Sequence, residues 1–301
     1  EAALAAWIVA ANEQGIVGVD TETNSLDSLR AELVGVSLSV AEPVAGARAC
    51  YIPLGHIAPK TQGALALGGD GGEALTGGAP KQVALDRAVA LLKPMLEDPG
   101  ILKIAHNAKY DSEVLARQGI HMAPIDDTML LSYVLEGGAH GHGLDELTLL
   151  HLGRTNIKFS EVCGSGKNKI GFAEVALDKA LDYAAEDADT ALALHQVLKP
   201  RLVFDHMATM YETIERPLVA VLEEMETHGI KVDAGELKRL SDDFEIRISD
   251  LGEEIHKLAG RDFNVGSPKQ LGEILFDEMG LSGGKKGKTG AYATGADILE
   301  D

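Results

Sequence analysis

Short runs rich in β-branched residues occupy positions 16–20 and 33–40, and a polar stretch of Thr, Asn, Ser and Asp lies between them. This pattern predicts two strands joined by a turn. Positions 50–53 predict a third strand and 101–105 a fourth, with helical periodicity setting in at Val83 between them and dominating everything after 105. Apolar residues recur at helical spacing from 177 to 198, and Pro200 is expected to stop that helix, which puts a domain boundary near Phe204. The next helix carries Glu215, Pro217, Leu218, Leu222 and Met225 and is expected to end at Gly229, and a longer one is expected over 234–259. Two stretches lack periodicity. Positions 63–80, rich in Gly and Ala, read as an exposed loop without chemistry, and positions 282–290, rich in Gly and Lys, as a mobile tip.

A length of 301 residues with 45% apolar content is enough for one or two ordinary cores. There is no apolar run of the roughly 18 residues that would suggest a membrane span, and the N-terminus lacks a signal pattern, so the expected setting is cytoplasmic, without membrane contact. Cys50 and Cys163 form no metal-ligand pattern and read as small reduced side chains. The net charge of −20 argues against a surface built for strong non-specific binding of nucleic acid. It does not exclude a nuclease, because carboxylates that hold Mg2+ keep a site acidic until the metal meets the phosphate. Most of the excess reads as a solubilising surface. Gly287-Lys288-Thr289 resembles the end of a phosphate loop, but Ser282 stands where the first Gly belongs and no strand precedes it; Gly166-Lys167-Asn168 lacks the Ser or Thr. Neither supports nucleotide hydrolysis.

The candidate chemistry lies in three places. Asp20-Thr21-Glu22 falls at a strand end, where alternate residues share a face and both carboxylates could reach one metal; alone, it is equally a solvated strand end. In His106-Asn107-Ala108-Lys109-Tyr110-Asp111 a strand feeds a helix that Asn107 can cap, and Asp111, one turn in, can turn back towards the sheet edge or remain an exposed helical acid. In Tyr183-Ala184-Ala185-Glu186-Asp187 the i,i+4 spacing stacks phenol and carboxylate on one helical face. Tyr183 could also be a core aromatic. Asp189, roughly 200° further round at ~100° per residue, reads as solvated.

In this order, Asp20, Glu22, Asp111 and Asp187 with Tyr183 resemble the Asp-Glu-Asp-Asp exonuclease superfamily in its tyrosine-bearing branch, and the three segments are similar to the exonuclease motifs of the bacterial DNA polymerase I family (family A). The resemblance extends to Phe159-Ser160-Glu161-Val162 and the loop that follows. It continues through Glu215-Arg216-Pro217-Leu218, the segment from Gly229 to Asp233, Phe263-Asn264 and Ser267 to Leu271, which look like the start of that family's thumb. The Gly-rich stretch at 63–80 is less typical of the family.

The resemblance implies an α/β fold, a ribonuclease-H-like mixed sheet flanked by helices over 1–203, followed over 204–301 by a mostly helical partial thumb. It implies removal of nucleotides from DNA 3′ ends as a proofreading 3′→5′ exonuclease. Two divalent ions, Mg2+ or Mn2+, would be bridged by Asp20, with Glu22 and Asp187 completing the first metal's shell and Asp111 supporting the second through water. Tyr183 would position the attacking water. Leu26 and Phe159 would wedge or stack against the terminal bases, with Thr21 and Asn107 also at the substrate, and Lys285, Lys286 and Lys288 would track a duplex backbone or form a solvated linker. The expected partners are a single-stranded or frayed 3′ end and the remainder of a polymerase chain, the expected state a monomer in a bacterial cytoplasm near the nucleoid, and the chain itself is expected to be a fragment. A catalytically silent nucleic-acid-binding module and an RNA-processing exonuclease are the alternatives.

Overall fold

The computed structural model describes residues 1–57, 80–287, 290 and 292–300. The Gly-rich stretch at 63–80 lies outside the described residues except at its last position, and Lys288 lies outside them. The elements run α1 (Ala2–Gln14), β1 (Ile16–Thr23), β2 (Leu33–Val44), β3 (Ala47–Pro53), α2 (Leu85–Leu96), β4 (Leu102–Ala105), α3 (Ala108–Ala116), β5 (Ile125–Asp127), α4 (Thr128–Glu136), α5 (Leu144–Leu147), α6 (Phe159–Cys163), α7 (Leu177–Phe204), α8 (Ala208–Met210), α9 (Arg216–His228), α10 (Ala234–Ala259), α11 (Pro268–Gly272) and α12 (Ala296–Leu299). They divide into two compact units, residues 1–229 and 230–301.

The first unit is built on a five-stranded mixed sheet in the order β3-β2-β1-β4-β5, antiparallel across β3, β2 and β1 and parallel across β1, β4 and β5. Alternation along β1 decides what each face carries. Val17 and Val19 join the core formed with Leu4, Trp7 and Ala11 of α1 and Leu92 and Leu96 of α2. Gly18, on the opposite face, meets α7: a Cβ there would lie 2.7 Å from the Ala188 carbonyl oxygen and 3.3 Å from Leu192 Cβ. A side chain at this position would hold α7 away from the sheet, so the glycine sets how closely the helix approaches. β2 is buried along the whole of residues 33–40, as expected of a strand covered on both faces.

Two sequence expectations are corrected here. Pro200 does not stop α7, which continues to Phe204. A proline removes one hydrogen bond, and the last turns are retained because Leu194, Leu198 and Leu202 pack with Leu131, Leu147 and Tyr211 in a second core. Asn107 does not cap α3 with its side chain; it takes a left-handed conformation at φ 68°, and the cap comes from Asp127. Asp127 accepts from the backbone N–H groups of Asn107 (3.1 Å) and Ala108 (2.8 Å) and also from Met129 (2.8 Å) at the start of α4. One buried carboxylate thus satisfies the orphan donors of two helices.

Residues 204–229, which the boundary expected near Phe204 assigns to the second part, fall within the first compact unit. Asp126, fully buried, accepts from the Tyr211 hydroxyl (3.1 Å) and pairs with His195 Nε2 (2.8 Å), Lys199 Nζ (2.8 Å) and Arg216 (3.4 Å). Burying a carboxylate costs less when its oxygens are satisfied in this way. The second unit is largely helical among its described residues, with Phe263 and Ile274 its buried apolar side chains. No helix of the described residues is long and apolar enough to cross a membrane.

Candidate active site

Asp20 and Glu22 follow Gly18 on the face of β1 that α7 covers, and Tyr183 and Asp187 descend from α7 onto the same place. Ligand oxygens of Asp20, Glu22 and Asp187 all lie within 4.8 Å of one another, a group able to hold a metal ion. Asp111 is not part of that trio. It reaches β1 from α3, where one oxygen accepts from the Thr21 backbone N–H at 3.0 Å and the Thr21 hydroxyl at 2.6 Å. Its charge still reaches the cluster, since Asp20 contributes to its raised pKa.

No cation among the described residues neutralises these acids, and their protonation shows it. Burial pushes the Asp20 carboxyl up to about 6. Burial and then the Asp20 charge push Asp187 up to about 8. Burial followed by the charges of Asp20, Asp187 and Asp111 holds Glu22 well above the usual carboxylate range. Asp111 is likewise raised, by burial first and Asp20 second, against the lowering effect of its two Thr21 hydrogen bonds. Buried like charges of this kind favour either protons or a multivalent cation. Tyr183 stands one turn before Asp187 on α7, and burial, followed by the charges of Asp187, Glu22 and Asp20, moves its pKa upward, so it stays protonated near neutrality.

A cleft of about 530 Å3 opens above the cluster, lined among others by Asp20, Glu22, Leu26, Phe159, Tyr183 and Asp187. Leu26 is 97% exposed and Phe159 41%, so neither belongs to the core. The Phe159 ring lies nearly parallel to Phe172 (18° between planes, centroids 6.4 Å apart) and edge-on to Tyr183. Thr21 lines the cleft, but its hydroxyl is committed to Asp111.

The sequence reasoning passed over Lys169 and Tyr110. Lys169, beside the loop set aside as a nucleotide lure, is the one cation among the cleft-lining residues and sits 5.5 Å from the Phe159 ring centroid. Tyr110 donates to the Ser25 carbonyl and bonds Thr23, tying α3 to the segment that carries Leu26. Asn107 is exposed and does not line the cleft. Asp189 is not free in solvent as expected: Arg48 (3.4 Å) and Arg154 (3.6 Å) pair with it. In the second unit Lys286 stacks 4.4 Å from the Tyr292 ring centroid, and Lys285 accepts a backbone hydrogen bond from Ala293.

A ribonuclease-H-like sheet whose central strand carries acids that meet one from α7, with an acid of α3 alongside, defines a class of exonucleases. A family model described as 3′-5′ exonuclease matches residues 1–203, and one described as DNA polymerase family A matches residues 234–301. The chain belongs to the 3′-5′ exonuclease family, in the form joined to a family-A polymerase sequence. It is 48% identical over 301 residues to DNA polymerase I of Rhizobium leguminosarum, covering 98% of this chain and 28% of that protein. With DNA polymerase I of Pseudomonas aeruginosa it shares 38% identity, covering 100% and 31%. The chain therefore spans under a third of the length of these relatives. Among solved structures, the POL domain of Pol1 from M. smegmatis in complex with DNA primer-template and dNTP matches with a TM-score of 0.73 at 26% identity, covering 99% of this chain and 43% of that one. Brucella melitensis NrnC matches with a TM-score of 0.51 at 25% identity, covering 72% and 87%.

Proposed function

We propose that residues 1–203 hydrolyse DNA one nucleotide at a time from the 3′ end, with residues 204–301 the beginning of a polymerase thumb, in a bacterial cytoplasmic protein that proofreads during replication and repair. The observation that carries this reading is the convergence of Asp20, Glu22 and Asp187 beneath an open cleft with Asp111 anchored alongside. The donor set fits hard divalent cations, being all carboxylate oxygen, and its raised pKa values mark uncompensated negative charge. Asp20 would hold both ions, Glu22 and Asp187 the first, and Asp111 the second. Bound there, two Mg2+ ions would supply an activated water and stabilise charge on the leaving 3′ oxygen.

The chain's own groups do the rest. Tyr183, protonated and one turn from Asp187, orients the attacking water rather than removing its proton. Leu26 and Phe159 present apolar and aromatic surface to the terminal bases, which suits a proofreader because every base offers a π-face. Lys169 meets the phosphate or braces the Phe159 ring, and Lys285 and Lys286 follow a duplex backbone. The test is release of mononucleotides from 5′-labelled single-stranded DNA. A ladder shortening from the 3′ end with Mg2+, abolished by EDTA, is expected. Binding without shortening would instead make the chain a silent nucleic-acid-binding module, and preferential cleavage of RNA would make it an RNA-processing enzyme.

A further inference from the structure

Outside the cleft, one other group of side chains among the described residues brings metal-ligating atoms within 4.8 Å of one another: Glu136, His140 and His151. Glu136 is the last residue of α4, His140 stands in the glycine-rich loop that follows, and His151 lies in the π-helical turn Thr148–Leu152 after α5. We infer that these three side chains form a second metal centre, a site for Zn2+ or a similar borderline cation that ties the end of α4 to the loop and turn beyond it.

The hydrogen bonds around the group sort its atoms into ligands and supports. His140 Nδ1 lies 2.6 Å from the Gly141 carbonyl oxygen, so that nitrogen carries the proton and Nε2 turns its lone pair to Glu136 Oε2 at 2.8 Å. A lone pair facing a carboxylate oxygen needs a cation between them, either a proton or a metal. His151 Nε2 is buried and has no hydrogen-bond partner; it lies 3.2 Å from the same Oε2, out of line for a hydrogen bond, on a side chain only 10% exposed. The other Glu136 oxygen is held by Arg201 at 2.7 Å, fixing the carboxylate and leaving Oε2 to the histidines.

Ligands at about 2.0–2.1 Å in a tetrahedron stand roughly 3.3 Å from one another. The 2.8 and 3.2 Å separations are close to that figure, so a modest outward adjustment admits the ion. Two imidazoles and one carboxylate suit Zn2+ and not Mg2+, which prefers an all-oxygen shell. A backbone carbonyl behind one histidine and a guanidinium behind the carboxylate are the outer supports that orient ligands. The centre is thus chemically distinct from the carboxylate cleft.

The test titrates the metal-free full chain with Zn2+ in saturating Mg2+, alongside Asp20→Ala, His140→Gln and His151→Gln. Expected is one equivalent of tightly bound Zn2+ in the wild type and in Asp20→Ala, weakened about 100-fold or more in either histidine variant. Co2+ in place of Zn2+ is expected to give tetrahedral visible absorption in the wild type and Asp20→Ala and none in His140→Gln. His140 lies in a loop, so the metal-free Tm of His140→Gln should match the wild type while its rise with Zn2+ is lost. Zn2+ affinity indifferent to His140→Gln, or abolished by Asp20→Ala, would overturn the assignment. Should His151→Gln fail to fold, the His140→Gln comparison decides alone.

Discussion

At the residue scale the site is a set of carboxylates that repel one another until a cation arrives, and this fixes the sign of several effects. Asp20 and Asp187 have folded-state pKa values raised to about 6 and about 8, above those of the unfolded chain. The folded state therefore binds more protons than the unfolded one across that interval, and stability falls as pH rises through it. Without metal, Tm is expected to be higher near pH 5 than near pH 8, and saturating Mg2+ is expected to flatten that slope. A metal-free Tm that rises between those pH values would contradict the uncompensated cluster. Replacing Asp20 by Ala should abolish hydrolysis, because Asp20 is the carboxylate proposed to hold both ions, yet leave the metal-free chain at least as stable, since a repelling charge is gone and no core side chain is lost. Near-normal turnover by that variant in Mg2+ would sink the metal assignment. Tyr183→Phe should retain DNA and metal binding and slow single-turnover hydrolysis about tenfold or more, since one lost hydrogen bond to the reacting water is worth on the order of 1–3 kcal/mol. Weaker DNA binding at an unchanged rate would make Tyr183 a packing residue instead. Strand alternation and helical i,i+4 spacing state that Asp20 and Glu22, and Tyr183 and Asp187, share a face; what singles them out among 47 acidic residues is the resemblance of their order to a known family. How Asp111 would be held at β1 was not legible, because its partner Thr21 lies 90 residues away in sequence.

At the element scale, the site depends on how near α7 lies to β1. Gly18 permits that approach, and an added side chain there would collide with the Ala188 backbone carbonyl. Gly18→Val is expected to lower both exonuclease rate and Tm even though residue 18 touches no substrate; a variant that loses stability but keeps the wild-type rate would show that the spacing of α7 does not set the position of Asp187. Asp127→Ala should cost on the order of 2–4 kcal/mol, because it leaves the first turns of α3 and α4 uncapped together. At roughly 2–4 °C of Tm per kcal/mol for a domain of this size the loss is readily measured by calorimetry. β1, β2 and α10 were legible from periodicity alone. β5 was not, because two of its three residues are Asp126 and Asp127, acids that normally argue against a strand. Their burial depends on Tyr211, Lys199, Arg216 and the start of α3, all distant in sequence, as well as on the start of α4 directly after them. The continuation of α7 past Pro200 was hidden for the same reason: tertiary packing of Leu198 and Leu202 outweighs the local signal.

At the scale of the whole molecule, charge and the distribution of acids decide what the chain does with a primed template. Both groups of side chains able to hold a metal among the described residues lie within residues 1–229, and the described residues of the second unit are largely helical and carry no strand-borne acid pair. A net charge of −20 leaves little basic surface to neutralise phosphates, so duplex affinity should be weak and fall further with salt. Hydrolysis needs the terminal nucleotides inside a cleft of about 530 Å3, which a paired end must fray to enter. Single-stranded 3′ ends should therefore be degraded faster than paired ones, and mismatched termini should fall between them. Given primer-template, Mg2+ and all four dNTPs, the purified 301-residue chain is expected to shorten the primer and never lengthen it. The Asp20→Ala chain separates this from a masked polymerase, since it removes the nuclease that would trim any product. Template-directed extension that survives in Asp20→Ala would place polymerising residues inside this chain and overturn the division of labour between its two units.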